Sequence, residues 1–359
     1  MNISQFCPLV AFAAALLSAL FLHRPVVTTA KLKEITDKPD RRKLQREPVP
    51  VLGGVILFFG IAIGAGVTSG YYDTGGMLLP FSALLVMLYT GMTDDILGLS
   101  FRTRFGVEIF ASLCLIAIGG MWINDFHGLW GIFGIPAVLG IPLTVITTVG
   151  IINAINLIDG VDGLSSGYGI LACTIFGIFF HMSGDKQMTV LAAACAGVLI
   201  PFFFFNVFST KYKMFIGDGG TLTLGMLLSI FVLRILDTDF TGSIPADANF
   251  GTVPFVLAVL SLSVFDTLRV MLTRIVSGNH PFKPDKRHLH HAFIDAGFTH
   301  LQTTLSILGM NSSVVSLQWL AYRSGASQAM QLYIVVALSV FFTAGMYYIM
   351  RHAAGRKKK

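Results

Sequence analysis

Four clusters of residues in this chain could do chemistry. Asp94 and Asp95 adjoin in GMTDDILGLSFRTR, with Arg102 and Arg104 close behind. Asn153, Asn156, Asp159 and Asp162 lie in NAINLIDGVDGL, and Asp218 lies in FIGDGGTL. The fourth cluster, NHPFKPDKRHLHHAF, sets His288, His290 and His291 beside Lys283, Lys286 and Arg287. Adjacent carboxylates repel one another unless a cation or a shared proton intervenes. Five acids gathered with basic and histidine residues outline a site for a divalent metal and a polyphosphate. Hard Mg2+ takes carboxylate and phosphate oxygens, and Lys and Arg take the phosphates. Glycines at 160, 163, 217, 219 and 220 let the backbone approach a ligand closely. Each cluster also has a plainer reading. The acidic pair could be a solvated helix end, the second string a turn, and Asp218 a helix N-cap. The histidines could be a soft-metal site, although no cysteine lies near them. These plainer readings would all have to hold at once, on one face of the molecule.

The elements that position the clusters follow from composition. Hydrophobic residues make up 54% of the 359 and charged residues 12%, against roughly 25% charged in a soluble domain. Too few charges are present to build a wetted surface, so lipid must cover most of the exterior. A bilayer core takes about 20 apolar residues per helix, and such stretches run near 6–23, 49–70, 78–93, 104–120, 135–155, 164–181, 187–208, 219–236, 251–272, 302–320 and 330–350. The expectation is an all-α polytopic membrane protein of eleven helices, a single domain over 1–359. The first stretch has no Lys or Arg before Arg24, which favours an anchor over a signal peptide. Cys7, Cys114, Cys173 and Cys195 sit inside apolar stretches and read as packing residues.

Orientation follows from Lys and Arg, which stay on the cytoplasmic side. With the N-terminus outside and the C-terminus cytoplasmic, 22 of the 25 basic residues fall inside, and the remaining three are Lys186, Arg234 and Arg323. The external loop 237–250 carries three Asp and no Lys or Arg. All four clusters then share the cytoplasmic face, on loops near 24–48, 94–104, 156–163, 209–218 and 274–301.

These residues resemble the polyprenyl-phosphate N-acetylhexosamine-1-phosphate transferase superfamily, and within it the bacterial undecaprenyl-phosphate N-acetylglucosamine-1-phosphate transferases. The resemblance runs from DKPDRRKLQREPVPVLGG (37–54) to the HLHH loop, in the family's order. NAINLIDGVDGL is highly specific, the Asp-Asp pair alone is not, and DKRHLHHAFIDAGF carries the sub-family signal. The resemblance implies that Asp218 and Asn156 hold Mg2+, or Mn2+ in its place, and that Asp94 and Asp95 serve the lipid phosphate and catalysis. It implies that Asp159 and Asp162 organise the nucleotide and metal pocket, with Asn153 and Arg104 at the substrates. By the same resemblance His288, His290 and His291 contact the donor, and the basic Lys283 and Arg287 beside them suit its phosphates. The chain departs from the family pattern in places. Gly98 stands where some close relatives have an acid, Arg102 and Arg104 where the family often has Lys, and Glu108 where it often has Gln. The implied partners are UDP-N-acetylglucosamine, undecaprenyl phosphate and the bilayer of a bacterial inner membrane, with no nucleic acid and with room for a homodimer.

Other classes make different demands on the sequence. An ion-coupled transporter would place its acids midway along broken helices in two matching halves, and no internal repeat is visible here. An intramembrane aspartic protease needs a second Asp facing Asp218 at mid-depth, and no stretch offers one. A CDP-alcohol transferase would continue its Asp-Gly run with an Ala-Arg pair, which is missing.

Overall fold

The computed structural model describes residues 6–37, 47–240, 249–281 and 286–357, and these form an almost entirely helical protein. In chain order the helices are α1 (Cys7–Leu32), α2 (Gly53–Thr68), α3 (Leu78–Leu97), α4 (Phe101–Ala117), α5 (Ala137–Leu157), α6 (Leu164–Ser183) and α7 (Lys186–Phe208). There follow α8 (Gly217–Ile235), α9 (Thr252–Val259), α10 (Ser261–Val276), α11 (Leu289–Asp295), α12 (His300–Arg323), α13 (Gln328–Val340) and α14 (Met346–Lys357). A short π turn, Phe341–Gly345, joins the last two. Thr36–Asp37 and Val49–Pro50 pair as a two-residue antiparallel ladder.

Every apolar stretch read from the sequence is helical. Seven helices among the described residues are long and apolar enough to cross a membrane, or eight if the bent pair α9–α10 counts as one span. The protein is therefore a multi-pass membrane protein. The remaining stretches, α3, α4 and α12, are helices that carry polar residues at or near one end: Asp94 and Asp95, Arg102 and Arg104, and His300 and Gln302.

Three boundaries differ from the sequence reading. α1 continues through Pro25 to Leu32, so Arg24 and Lys31 ride on a helix. The segment 94–104 is a tight helix–turn–helix: Gly98 ends α3 in a left-handed conformation (φ 70°), and Ser100 caps α4 by accepting from the Thr103 N–H. The ninth span is broken by 77° at Leu260. No Pro or Gly sits at that break. Instead Asn311 of α12 enters it, donating to the Val259 carbonyl at 3.0 Å and accepting from Ser261 Oγ at 2.8 Å and the Leu262 N–H at 3.1 Å. A side chain inserted into the helical ladder is a recognised cause of a kink.

α8 is the centre of the bundle. All of its residues are buried except Asp218 at one end and Arg234 at the other. The Asp218 end is where α2, α3, α5 and the loop before α8 converge, and the polar clusters gather there.

Candidate functional site

The site is built outward from the first turn of α8. A helix start leaves N–H groups without partners, and here a carboxylate from another helix supplies them. Asp95 Oδ1 accepts from the Asp218 N–H at 3.0 Å and Oδ2 from the Gly219 N–H at 3.1 Å. Asp218 is thus not the N-cap; Asp95 acts as one from α3, favoured by the positive end of the helix dipole. Gly217 makes this possible. Its φ is +69°, and a Cβ there would meet Asp95 Oδ2 at 2.6 Å. The Asp218 side chain accepts from Asn156 Nδ2 at 2.6 Å, and that amide also donates to Thr221 Oγ1 at 2.8 Å. Asp94 lies beside Asp218 and is tied to α4, accepting from the Leu99 N–H at 2.7 Å and pairing with Arg104 Nη1 at 3.3 Å.

The turn after α5 closes a cavity of about 530 Å³ lined by Asp37, Asp95, Asp159, Asp162, Asp218 and Lys213, together with Ser165, Asn206, His291 and His300. Asn206 fixes the turn by accepting from the Gly163 N–H at 2.6 Å. Asp159 accepts from Ser165 Oγ at 2.6 Å. It opens onto the cavity yet is ringed by protein. That enclosure pushes its carboxyl up to about 7 against the pull of Ser165, with Asp218 and Asp162 adding to the rise. Asp162 differs. Enclosure alone would raise it, but bonds from His300 Nδ1 (2.9 Å) and Lys213 Nζ (2.6 Å) outweigh that and hold its carboxyl below the usual range.

The three histidines diverge because α11 turns between them. His291 lines the cavity. Burial, with His288 and Lys286 nearby, brings it down to about 4, so it is neutral at pH 7. His290 is fully enclosed against Gly160, and its burial also holds it neutral. His288 is buried with Nδ1 3.0 Å from Asp266 Oδ2. Asp266 is gripped in turn by Arg269 at 2.6 Å, whose guanidinium lies 4.0 Å over the Tyr347 ring of α14. Arg287 reaches Ser277 Oγ at 3.4 Å and does not line the cavity. Lys283 lies outside the described residues.

Asn153 also turns away from the cavity. It donates to Glu108 Oε2 at 2.5 Å and accepts from Arg104 Nη2 at 3.2 Å. It borders a second, apolar groove of about 590 Å³ between α4, α5, α8, α9 and α10, lined by Phe105, Ile146, Leu157, Val256, Leu260 and Met271 among others. On α5 the lining runs from Leu143 to Leu157, which is roughly 21 Å of helix. Arg104 bonds Asp94, which lies beside Asp218 of the cavity wall, and Asn153 of the groove wall. Sequence reasoning missed Lys213, His300 and Asp266. Lys213 and His300 are lone polar residues at or near span ends with no motif around them, whereas Asp266 lies within the ninth apolar stretch, where the sequence reading passed over it.

The donors present suit a hard cation. No group of three or more His, Cys, Asp or Glu side chains among the described residues stands ready to hold a metal alone. Mg2+ commonly takes one or two carboxylates and completes its shell with water and substrate phosphates. Asp218, crowded by Asp94, Asp95 and Asp159 and steadied by Asn156, fits that pattern.

Residues 77–236 match the family described as glycosyl transferase family 4. The undecaprenyl-phosphate alpha-N-acetylglucosaminyl 1-phosphate transferase of Pasteurella multocida (strain Pm70) is 31% identical over 306 residues, 83% of this chain and 81% of that protein. The protein of the same name from Escherichia coli (strain K12) is 25% identical over 308 residues, 85% and 80% of the two chains. A probable undecaprenyl-phosphate N-acetylglucosaminyl 1-phosphate transferase of Bacillus subtilis (strain 168) is 27% identical over 341 residues, 92% and 89%. With near one-third identity sustained over most of both chains, on top of that family match, this protein belongs to the undecaprenyl-phosphate N-acetylglucosaminyl 1-phosphate transferases of glycosyl transferase family 4.

Proposed function

We infer that this protein transfers N-acetylglucosamine 1-phosphate from UDP-N-acetylglucosamine to undecaprenyl phosphate, releasing UMP and starting a lipid-linked cell-surface polysaccharide. One observation carries the reading: a chain of contacts runs from Asn153, on the wall of a long apolar groove, through Arg104 and Asp94 to Asp218, on the wall of an acid-lined polar cavity. A phosphate on a long prenyl chain needs such a junction, with its tail in the groove and its head at the cavity.

Both reactants are anionic, and two unit charges about 4 Å apart repel by about 4 kcal/mol at an effective dielectric near 20. Mg2+, held by Asp218 with Asn156 beside it, would neutralise phosphate charge and polarise the donor diphosphate. The remaining work belongs to the chain's own groups. Arg104 draws the lipid phosphate towards the cavity, and Asp94 sets the direction of that guanidinium. A phosphomonoester with a second pKa of about 6 is largely dianionic at pH 7, so it can attack the donor without a strong base. A covalent aspartyl-phosphate at Asp95 is disfavoured, because both of its oxygens already hold the start of α8. Asp95 is a positioning residue in this reading. His291, neutral and facing the cavity, can still donate or accept a hydrogen bond to the donor.

The test is a competition. Membranes given Mg2+, undecaprenyl phosphate and equal UDP-N-acetylglucosamine and UDP-muramoyl-pentapeptide are expected to form only the N-acetylglucosamine lipid, read by mass spectrometry. Exclusive formation of the muramoyl lipid would overturn the donor assignment and leave the transferase chemistry standing.

The same reading takes all eleven stretches as spans in the inner membrane and places the cavity in the cytoplasm. Reporter fusions at 72, 125, 240 and 325 are expected to score as periplasmic, and fusions at 100 and 212 as cytoplasmic. A cytoplasmic score at 240 would sink both the span count and the shared face.

A further inference from the structure

The cavity presents a charge problem for the ligand just proposed. Five carboxylates line it, from Asp37, Asp95, Asp159, Asp162 and Asp218, and Lys213 is the one lysine or arginine among its described lining residues. A nucleotide diphosphate entering this acidic space needs fixed positive charge as well as any metal, because like charges in a partly dehydrated cleft repel strongly.

Lys213 is held as a ligand-binding group would be. Its loop, between α7 and α8, is pinned on both sides by bonds to its backbone. His23 Nε2 of α1 lies 2.8 Å from the Tyr212 carbonyl, and Lys31 Nζ donates to the Lys211 carbonyl at 2.9 Å. Asn206 Nδ2 donates to the Met214 carbonyl at 2.9 Å, and the Phe215 N–H to the Pro50 carbonyl at 2.8 Å. Arg24 and Lys211 both turn to the Tyr212 ring, so of the two lysines in this clamped loop Lys213 is the one that lines the cavity, beside Phe215 and Ile216. Its ammonium sits 2.6 Å from Asp162 Oδ2 and keeps 29% of the side chain exposed. Three donors on an ammonium allow it to hold Asp162 and a phosphate oxygen together. The Asp162 carboxylate is in turn shared with His300 at 2.9 Å, so it can release part of its hold on Lys213 without being left unpaired.

We propose that Lys213 is the cation that receives the diphosphate of the nucleotide-sugar donor, with Asp162 as its counter-ion and not an acid–base group. The prenyl phosphate carries the same chemistry, but Lys213 does not border the apolar groove, whose polar junction belongs to Arg104 and Asn153. This proposal rests on the transferase reading above and adds a residue and a division of labour to it.

The experiment is two-substrate kinetics on purified full-length protein in lipid-supplemented detergent, with UMP binding measured alongside by calorimetry. Lys213→Met is expected to raise the KM for UDP-N-acetylglucosamine at least tenfold and weaken UMP binding measurably, with the KM for undecaprenyl phosphate within twofold of wild type. Lys213→Arg is expected to recover most of the donor affinity. If Lys213→Met alone fails to fold, because Asp162 loses its strongest partner, the double variant Asp162→Asn with Lys213→Met removes both charges and is expected to show the same donor defect. A donor KM within twofold of wild type in the folded variant overturns the proposal, as does an equal rise in both KM values. Wild-type protein that makes no lipid product from any UDP-sugar would instead refute the transferase reading itself.

Discussion

Asp218→Asn is expected to cut turnover a hundredfold or more while the protein still folds. The substitution preserves shape, and an Asn at 218 keeps a side-chain oxygen to accept from Asn156 Nδ2, now at 2.6 Å. The bonds that start α8 run from the backbone of Asp218 and Gly219 to Asp95, so they survive the change. What is lost is a carboxylate oxygen that could serve a hard cation, at the point where Asp94, Asp95 and Asp159 converge. Removing a single preorganised electrostatic contact costs about 3–4 kcal/mol, or 10²–10³ in rate. Turnover titrated against Mg2+, together with a thermal melt, checks both halves of this expectation. Activity within threefold of wild type at an unchanged Mg2+ requirement would remove Asp218 from the candidate metal ligands.

Much of this was legible in the sequence because the chain is so sparing with charge. In a protein with 12% charged residues, an Asp-Asp pair or an Asn-rich string stands out, and the apolar stretches between them mark the helices. Distances between side chains were not legible. HLHH reads as one histidine motif, yet α11 turns His291 into the cavity and His288 towards Asp266, which lies 22 residues earlier in the chain. Asn153 and Asn156 stand three residues apart in one cluster, but one joins Glu108 and Arg104 and the other joins Asp218. The break in the ninth span had no local signal either, because its cause is Asn311, about 50 residues further on. Lys213 and His300 were invisible for a related reason. A single polar residue at a span end is ordinary, and these acquire a role only when the fold brings both to Asp162.

Gly91→Ala is expected to remove most activity without touching any acid, by forcing α3 away from α8. A Cβ at Gly91 would overlap the Asp218 carbonyl group and the Gly219 nitrogen. Those are backbone atoms of the most enclosed helix in the bundle, so no flexible side chain can yield, and α3 must shift instead. Asp95 lies one turn along α3 from Gly91, and its two bonds of 3.0 and 3.1 Å to the α8 N–H groups are what register the acidic pair against Asp218. Overpacking of this kind costs about 1–3 kcal/mol of stability, while a displacement of about 1 Å at a reacting centre can cost about a hundredfold in rate. The activity loss is therefore expected to exceed the stability loss. Gly66→Ala in α2 is the matched control, since a Cβ there meets nothing within 4 Å, and replacing an exposed helical glycine stabilises by up to about 1 kcal/mol. Turnover and melting temperature of the two variants, measured side by side, decide the matter. If Gly91→Ala behaves like Gly66→Ala, then the close contact of α3 with α8 does not set the geometry of the acids.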